Sequence, residues 1–334
     1  MSITIKDVAK KVGVTPTTVS MVMRDDPRIS KETKDKVLQA VKELNYYPNY
    51  IGQSLVKGKT NTIAVVSNLF FAWFKMDILN GIGRSIFESS YKMNQYSTRD
   101  EIGEETLKDI LYGKRADGII TISLRPTTTI LNEFKRLKRP IVLIEDTVEG
   151  FAGVKVDNFK GAYMATDYLI KKGRKKIGIL TGEVAEGRGG MNVLERIDGY
   201  KKALKDNDID IRKKIMLETV CYTFDEGRKI FDKFIENKKG IDAIFCAAGD
   251  IAAMGLMKRA QELGVKVPDD VAIVGYDDIV ISSLVNPSLT TVRQPIFEMG
   301  KTAVKMLINQ MESSLNYVDE VVIFQPELVI RESA

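Results

Sequence analysis

Residues 4–24 carry two short helical patterns joined by a single glycine, and this pairing constrains the amino-terminal fold more than any other stretch. Thr4 is a good N-cap, and Asp7, three residues on, completes a capping box. Val8, Ala9 and Val12 share one apolar face at helical spacing. Gly13 suits the position just past the helix, where positive φ is cheap. Thr15 caps the second helix, and Pro16 fits its first turn because no amide donor is needed there. That helix buries Val19 and Val22 and leaves Thr17, Thr18, Ser20, Met21 and Arg24 on its other face. The arrangement predicts a helix-turn-helix whose second helix is shaped for a DNA major groove. A third helix starts at Ser30, with Val37, Leu38, Val41 and Leu44 as its buried stripe. Pro48 stops it, and Asn49 caps one further short helix.

The rest of the chain is built differently. With 334 residues it suits two or three domains rather than one core. Lys57-Gly58-Lys59-Thr60-Asn61 reads as a linker. After it, apolar runs at 63–66, 118–122, 141–144, 177–180, 243–246 and 271–275 alternate with helical patterns near 76–91, 104–113, 129–138, 160–172, 194–206, 225–238, 250–264 and 296–312. Continuously apolar strands separated by helices predict parallel sheets covered on both faces. The expected fold is α/β: two parallel doubly wound lobes behind an all-α headpiece. Ligands of such sheets sit beyond the carboxyl ends of the strands, here in a cleft between lobes.

Charge and composition narrow the function. Residues 1–60 hold 11 Lys/Arg against 6 Asp/Glu, while the remainder holds 39 of each, so the whole net charge of +5 lies on the small amino-terminal region. That is the footprint of a nucleic-acid contact. The chain has no histidine, which removes Ser-His-Asp and Cys-His catalysis and the commonest metal ligand. Its two cysteines, Cys221 and Cys246, are too few for a structural zinc site, and Cys246 lies in an apolar run as a packed, reduced thiol. No metal and no cofactor are expected. No run of about 18 apolar residues predicts a membrane span. Lys6, Asp7, Lys10 and Lys11 stand where an export signal needs an apolar core, so a cytoplasmic protein is expected.

The sequence resembles the LacI/GalR family of bacterial transcription regulators. The carrying residues are 4–9, 13–20 and 44–55, then Ala116-Asp117-Gly118-Ile119-Ile120, 157–169, Arg196-Ile197-Asp198-Gly199-Tyr200, 267–278, and Pro287-Ser288-Leu289-Thr290-Thr291-Val292. The resemblance implies a headpiece at 1–48, a hinge helix and linker at 49–60, and an effector-binding core at 61–334. Within the core it implies a first lobe of about 61–160 plus 291–320 and a second of about 161–290 plus 321–334. It implies a homodimer on double-stranded operator DNA, with a small-molecule effector in the cleft. No tail-made tetramer is expected.

The resemblance also implies site residues. Pro16, Thr17 and Met21 match positions that face bases, and Met21 offers apolar contact where many relatives carry Arg. Thr18, Ser20 and Asn49 fall where phosphates are bound, with Thr4, Thr15, Arg24, Tyr50, Gln53 and Ser54 in the same DNA-facing set. Leu55 matches an apolar wedge inserted into the minor groove. For the effector, Phe71 and Tyr222 match stacking positions, and Trp73, the only tryptophan, belongs to the cluster after the first strand. Arg196 supplies a planar donor fork and Asp277 accepts from paired hydroxyls. Asn68, Ser123, Asp157, Asp250 and Tyr276 complete the expected lining. Gly249-Asp250 stands where many sugar-responsive relatives have Asn-Asp. The Gly-rich stretch 182–190 lacks the Gly-Lys-Ser/Thr ending of a nucleotide P-loop and reads as a cleft rim.

The function so implied is a sequence-specific repressor controlled by a sugar or sugar derivative. A nucleoside- or purine-type corepressor is the alternative. A solute-binding protein is disfavoured by the first 56 residues, and a sugar-processing enzyme by the missing histidine and nucleophile elbow.

Overall fold

The structure is a computed structural model describing residues 3–47, 52, 54, 58–68, 72–98, 103–182, 190–209, 216–219, 222–236, 240–313 and 319–334, without the side chains of 216–219, 235 and 236. It separates into two units, Met1–Thr60 and Asn61–Ala334.

The first unit packs three helices, α1 Ile5–Val12, α2 Pro16–Val22 and α3 Lys31–Glu43. The Thr4 amide and hydroxyl both donate to Asp7 Oδ2, at 2.8 and 2.7 Å, and hold its carboxyl below the usual range. Gly13 ends α1 at φ 73°. Thr15 Oγ1 accepts from the Thr18 amide at 3.1 Å and so starts α2. Val8, Ala9, Val19, Val22, Val37, Ala40 and Tyr46 form the core. The expected stripe of α3 is corrected at one place. Leu38 is 50 % exposed, and Ala40 is buried instead. Val37, Ala40, Val41 and Leu44 follow the spacing i, i+3, i+4, i+7, and Leu38 lies about 100° around the helix from Val37.

The second unit contains two six-stranded sheets. The first part of the chain runs β1 Thr62–Ser67, α4 Trp73–Phe87, β2 Lys92–Ser97, α5 Glu104–Tyr112, β3 Gly118–Ile122, α6 Thr128–Arg136, β4 Ile141–Ile144 and β5 Ala152–Val156. It continues with α7 Asn158–Lys171, β6 Ile177–Gly182, α8 Met191–Asp206, β7 Met216–Thr219, α9 Phe224–Glu236, β8 Ala243–Cys246, α10 Asp250–Glu262, β9 Ala272–Asp277 and β10 Thr290–Arg293. The last elements are α11 Ile296–Glu312, β11 Val321–Phe324 and β12 Glu327–Val329. Strand orders are β11-β5-β4-β3-β1-β2 and β12-β10-β9-β8-β6-β7. Every pairing is parallel except β10 with β12.

Each sheet is sandwiched between two apolar layers, as continuously apolar strands require. Ile78, Ile82, Ile86, Met299 and Leu307 cover one face of the first sheet, and Leu107, Ile110, Ile130 and Phe134 the other. On the second sheet the layers come from Phe231, Phe234 and Leu256, and from Ala162, Leu169, Ile197 and Tyr200. The covering helices touch closely. A methyl at Gly81 would overlap the Phe297 carbonyl, and one at Gly300 the Ile78 carbonyl, so α4 and α11 meet backbone to backbone.

Five strands lack a readable apolar run, and a sixth, the apolar β11 (Val321-Val322-Ile323-Phe324), is not among the expected runs. β2 is a polar edge, β5 is interrupted by Gly153 and Lys155, β10 buries Thr290 and Thr291, and β7, β11 and β12 lie at sheet edges. The expected lobe boundaries shift as a result. Residues 321–324 pair with β5 in the first sheet, not the second, and 290–293 pair with β9 in the second. The three expected changes of lobe therefore fall at Asp157, at Gln294-Pro295 and at Gln325-Pro326.

Candidate functional sites in the headpiece and the cleft

In the first unit the side chains expected to face DNA fall into three groups. Thr4 and Thr15 are exposed but spend their oxygens on capping. Pro16 and Thr17 are exposed on the first turn of α2, and Thr18, Ser20 and Met21 are half-exposed beside them. Thr18 also shares its hydroxyl with Thr15 at 3.0 Å. Arg24 is exposed just past the helix, where its amide donates to the Met21 carbonyl at 3.1 Å. The inward Val19 and Val22 hold this face outward. Ser54 is half-buried and its carbonyl accepts from the Gly58 amide at 2.8 Å. Asn49, Tyr50, Gln53 and Leu55 lie outside the described residues.

The cleft chemistry gathers at the carboxyl ends of the strands. Arg196, on the second turn of α8, is 5 % exposed. Its Nε donates to Asn158 Oδ1 and its Nη1 to the Ala247 carbonyl, each at 2.8 Å. Its guanidinium lies 3.7 Å from the Tyr276 ring centroid, a stacked cation–π contact. Tyr276 is fully buried and its hydroxyl donates to Asn158 Oδ1 at 3.2 Å. Tyr276 thus positions Arg196 instead of lining the cleft as expected.

Asp277 ends β9 at φ 114°, and its Oδ1 accepts from Gln294 Nε2 at 2.7 Å. Burial pushes its carboxyl up to about 8; Arg196 and Gln294 pull it down, while Asp250 and Glu145 act with burial. Gly249 leaves the space beside Asp277 Oδ2 open: a methyl there would stand 2.9 Å from that oxygen. Asp250 is 1 % exposed and differs from the expected lining residue. Its carboxylate accepts from Thr291 Oγ1 at 2.5 Å, Ser282 Oγ at 2.7 Å and the Ile279 amide at 3.0 Å. Burial pushes it up to about 7, against those three donors. It anchors the turn after β9 and has no oxygen to offer a ligand.

Glu145, directly after β4, was missed by sequence reasoning. Its Oε2 accepts from Ser123 and its Oε1 from Asn192 Nδ2 of the second lobe at 3.4 Å. Like Ser123 after β3, Glu145 is a polar residue directly after an apolar run, and that is the signal by which it could have been found. Asn158 was passed over beside Asp157, and Gln294 follows a strand that carries no apolar run. Asp157 itself caps α7 through the Lys160 amide at 2.9 Å. Asn68 accepts from the buried Lys75. Trp73 opens α4 at 41 % exposure, and Tyr222 is half-exposed against Gly182 at the end of β6. Phe71 and the rim 183–189 lie outside the described residues.

Ser123, Glu145 and Asp277 all hold left-handed backbone, at φ 50°, 75° and 114°. Strain of this kind costs on the order of 1–3 kcal/mol per residue and collects at binding sites. Among the described residues no cluster could hold a metal ion, and no helix is long and apolar enough to cross a membrane. Cys246 is buried, its thiol is pushed up by burial, and it donates to the Gly249 carbonyl at 3.4 Å. Cys221 lies outside the described residues.

A helix-turn-helix unit followed by two parallel α/β lobes with a strained polar cleft defines a headpiece joined to a periplasmic-binding-protein-like core. Family models agree in both parts. Residues 4–49 match "Bacterial regulatory proteins, lacI family", and residues 166–334 match "Periplasmic binding protein-like domain". The chain is 32 % identical to the NTD biosynthesis operon regulator NtdR of Bacillus subtilis (strain 168), covering 99 % of each chain. It is 32 % identical to the HTH-type transcriptional repressor PurR of Pectobacterium carotovorum subsp. carotovorum (strain PC1), over 99 % of this chain and 96 % of that one. A solved structure, the transcriptional regulator CelR–cellobiose complex, aligns with a TM-score of 0.74 at 27 % identity, covering 99 % of this chain and 100 % of that one. The chain belongs to the lacI family and is a DNA-binding transcription regulator, not an enzyme. Membership places it in the cytoplasm.

Proposed function

We propose that the chain is a dimeric repressor whose operator affinity is set by a small polyhydroxylated molecule, a sugar or sugar derivative, held between the lobes. One observation carries this reading: the polar network of the cleft is built on the segments that join the lobes. Asn158, which holds Arg196, follows the first crossover, and Gln294, which holds Asp277, forms the second. A ligand that engages Arg196 and Asp277 therefore acts on the hinges about which the lobes close. Arg196 offers donors and Asp277 and Glu145 offer acceptors, the pairing that adjacent hydroxyls satisfy. The cellobiose bound by the CelR relative supports a sugar. Half-exposed Trp73 and Tyr222 would stack equally well on a purine, which keeps a purine corepressor as the second reading.

On the DNA side, α2 is expected to read bases through Thr17 and Met21. Selection of bound duplexes from a random pool by the full-length chain tests the regulator reading. A pseudo-palindrome with a flexible central step is the expected result; recovery without sequence enrichment would overturn it. Thermal shift with cellobiose, ribose and hypoxanthine then separates sugar from purine.

A further inference from the structure

The carboxyl ends of the first sheet face the cleft, and its amino ends carry a feature that the cleft does not use. The second unit begins at Asn61, whose amide donates to Asp117 Oδ2 at 2.7 Å and whose carbonyl accepts from the Lys92 amide at 2.9 Å. The linker thus enters at the amino end of β1, in register with Lys92 at the start of β2. Beside it, the turns leading into β3 and β4 repeat one pattern, Lys114-Arg115 and Lys138-Arg139. Lys114 and Lys138 hold left-handed backbone at φ 50° and 52°, and both are exposed.

Nearby carboxylates are engaged elsewhere. Asp109 pairs with Arg115 at 2.9 Å, Glu133 with Arg136 at 2.6 Å, and Asp117 is buried against Asn61. Glu88, at the end of α4 before β2, pairs with Arg84 at 3.0 Å, and Glu312 and Asp117 add to burial in raising the Tyr91 hydroxyl. Asp319 and Glu320 precede β11, at the opposite end of the strand order. The basic character is therefore confined to the β4-β3-β1-β2 portion of the edge, where the linker arrives.

We infer that this edge of the core is a second, sequence-independent DNA surface, in which Lys114 and Lys138 contact backbone phosphates flanking the duplex held by the helix-turn-helix. The inference rests on the DNA-binding reading. Residues 48–60, between the three-helix headpiece and Asn61, span at most about 45 Å when extended. A duplex held by the tethered headpiece therefore presents its phosphates to this edge at high effective concentration.

The test is binding of the full-length chain to a 30-bp duplex of random sequence, followed by fluorescence anisotropy across a potassium chloride series. Lys114→Asn with Lys138→Asn removes both charges while keeping a residue that tolerates left-handed backbone. Each phosphate contact contributes about 0.9 to the slope of log affinity against log salt, so the variant is expected to lose about 1–2 units of slope per chain and about tenfold in affinity near 0.1 M salt. Lys205→Ala with Lys229→Ala, on helices of the second lobe, removes the same charge and is expected to leave the slope unchanged. Equal slopes for wild type and the Lys114/Lys138 variant would overturn the inference while leaving the regulator reading intact. Equal losses in both variants would overturn it too, as a general charge effect. Absence of salt-dependent binding by the wild type would overturn the regulator reading itself.

Discussion

At the scale of single residues, Asp277 concentrates the conflict between stability and function. Its backbone is strained, it is half-buried, and two further acids share its surroundings. Its pKa is raised from 3.8 to about 8, so between those values the folded chain binds more protons than the unfolded one. Stability must therefore fall as pH rises through that window. Asp277→Asn keeps the Gln294 contact and removes the charge. It is expected to flatten the dependence of melting temperature on pH and to gain at least about 1 kcal/mol at pH 8. It is also expected to weaken effector binding by at least about tenfold, because a paired-hydroxyl acceptor is lost. An unaltered pH profile in chemical or thermal denaturation would show that Asp277 is ionised at little cost. The sequence singled out Arg196 and Asp277 by their motif positions. It did not reveal that Tyr276 and Asp250 are inward supports: Tyr276 and Asp277 are strand neighbours that differ in role only by the face of the sheet they meet, and Asp250, at the start of α10, is taken up by the distant Thr291, Ser282 and Ile279.

At the scale of elements, α8 deserves a separate experiment. Its first two turns carry Asn192, Glu195 and Arg196, which reach Glu145, Lys155 and Asn158 respectively. Lys155 comes from the first lobe, and its 2.6 Å pair with Glu195 is well shielded, with side-chain exposures of 19 % and 25 %. A pair of this kind is worth about 0.5–1 kcal/mol. A double-mutant cycle with Lys155→Ala and Glu195→Ala, read by urea unfolding, is expected to show coupling of that size. Strictly additive losses would mean that the pair does not tie the lobes. The helix itself was legible from its apolar spacing. Its interlobe reach was not, since Lys155 lies on β5, a strand whose Gly153 and Lys155 break the apolar signal.

At the scale of the whole molecule, the proposed coupling runs from cleft to crossovers to linker. Effector binding can shift operator affinity only through different affinities for two lobe arrangements. Leu55 stands at the end of that path in sequence. Leu55→Ala is expected to lower operator affinity by about tenfold or more, as loss of a minor-groove wedge would, while leaving effector affinity unchanged in calorimetry. Parallel losses of both affinities would mark Leu55 as a folding residue and remove the wedge from the account.

The sequence alone determined the helix-turn-helix, the alternation of strands and helices, and the separation of charge between headpiece and core. Each follows from local physics: capping residues, helical and strand periodicity, and a count of charges along the chain. The pairing of 321–324 with the first sheet, the positions of the three crossovers, the burial of Asp250, and the meeting of Glu145, Asn158 and Gln294 around Arg196 and Asp277 were decided only by tertiary structure. These depend on which distant segments share a sheet edge or a cleft, and a short strand, apolar like β11 or polar like β2, carries no signal that ties it to its partner.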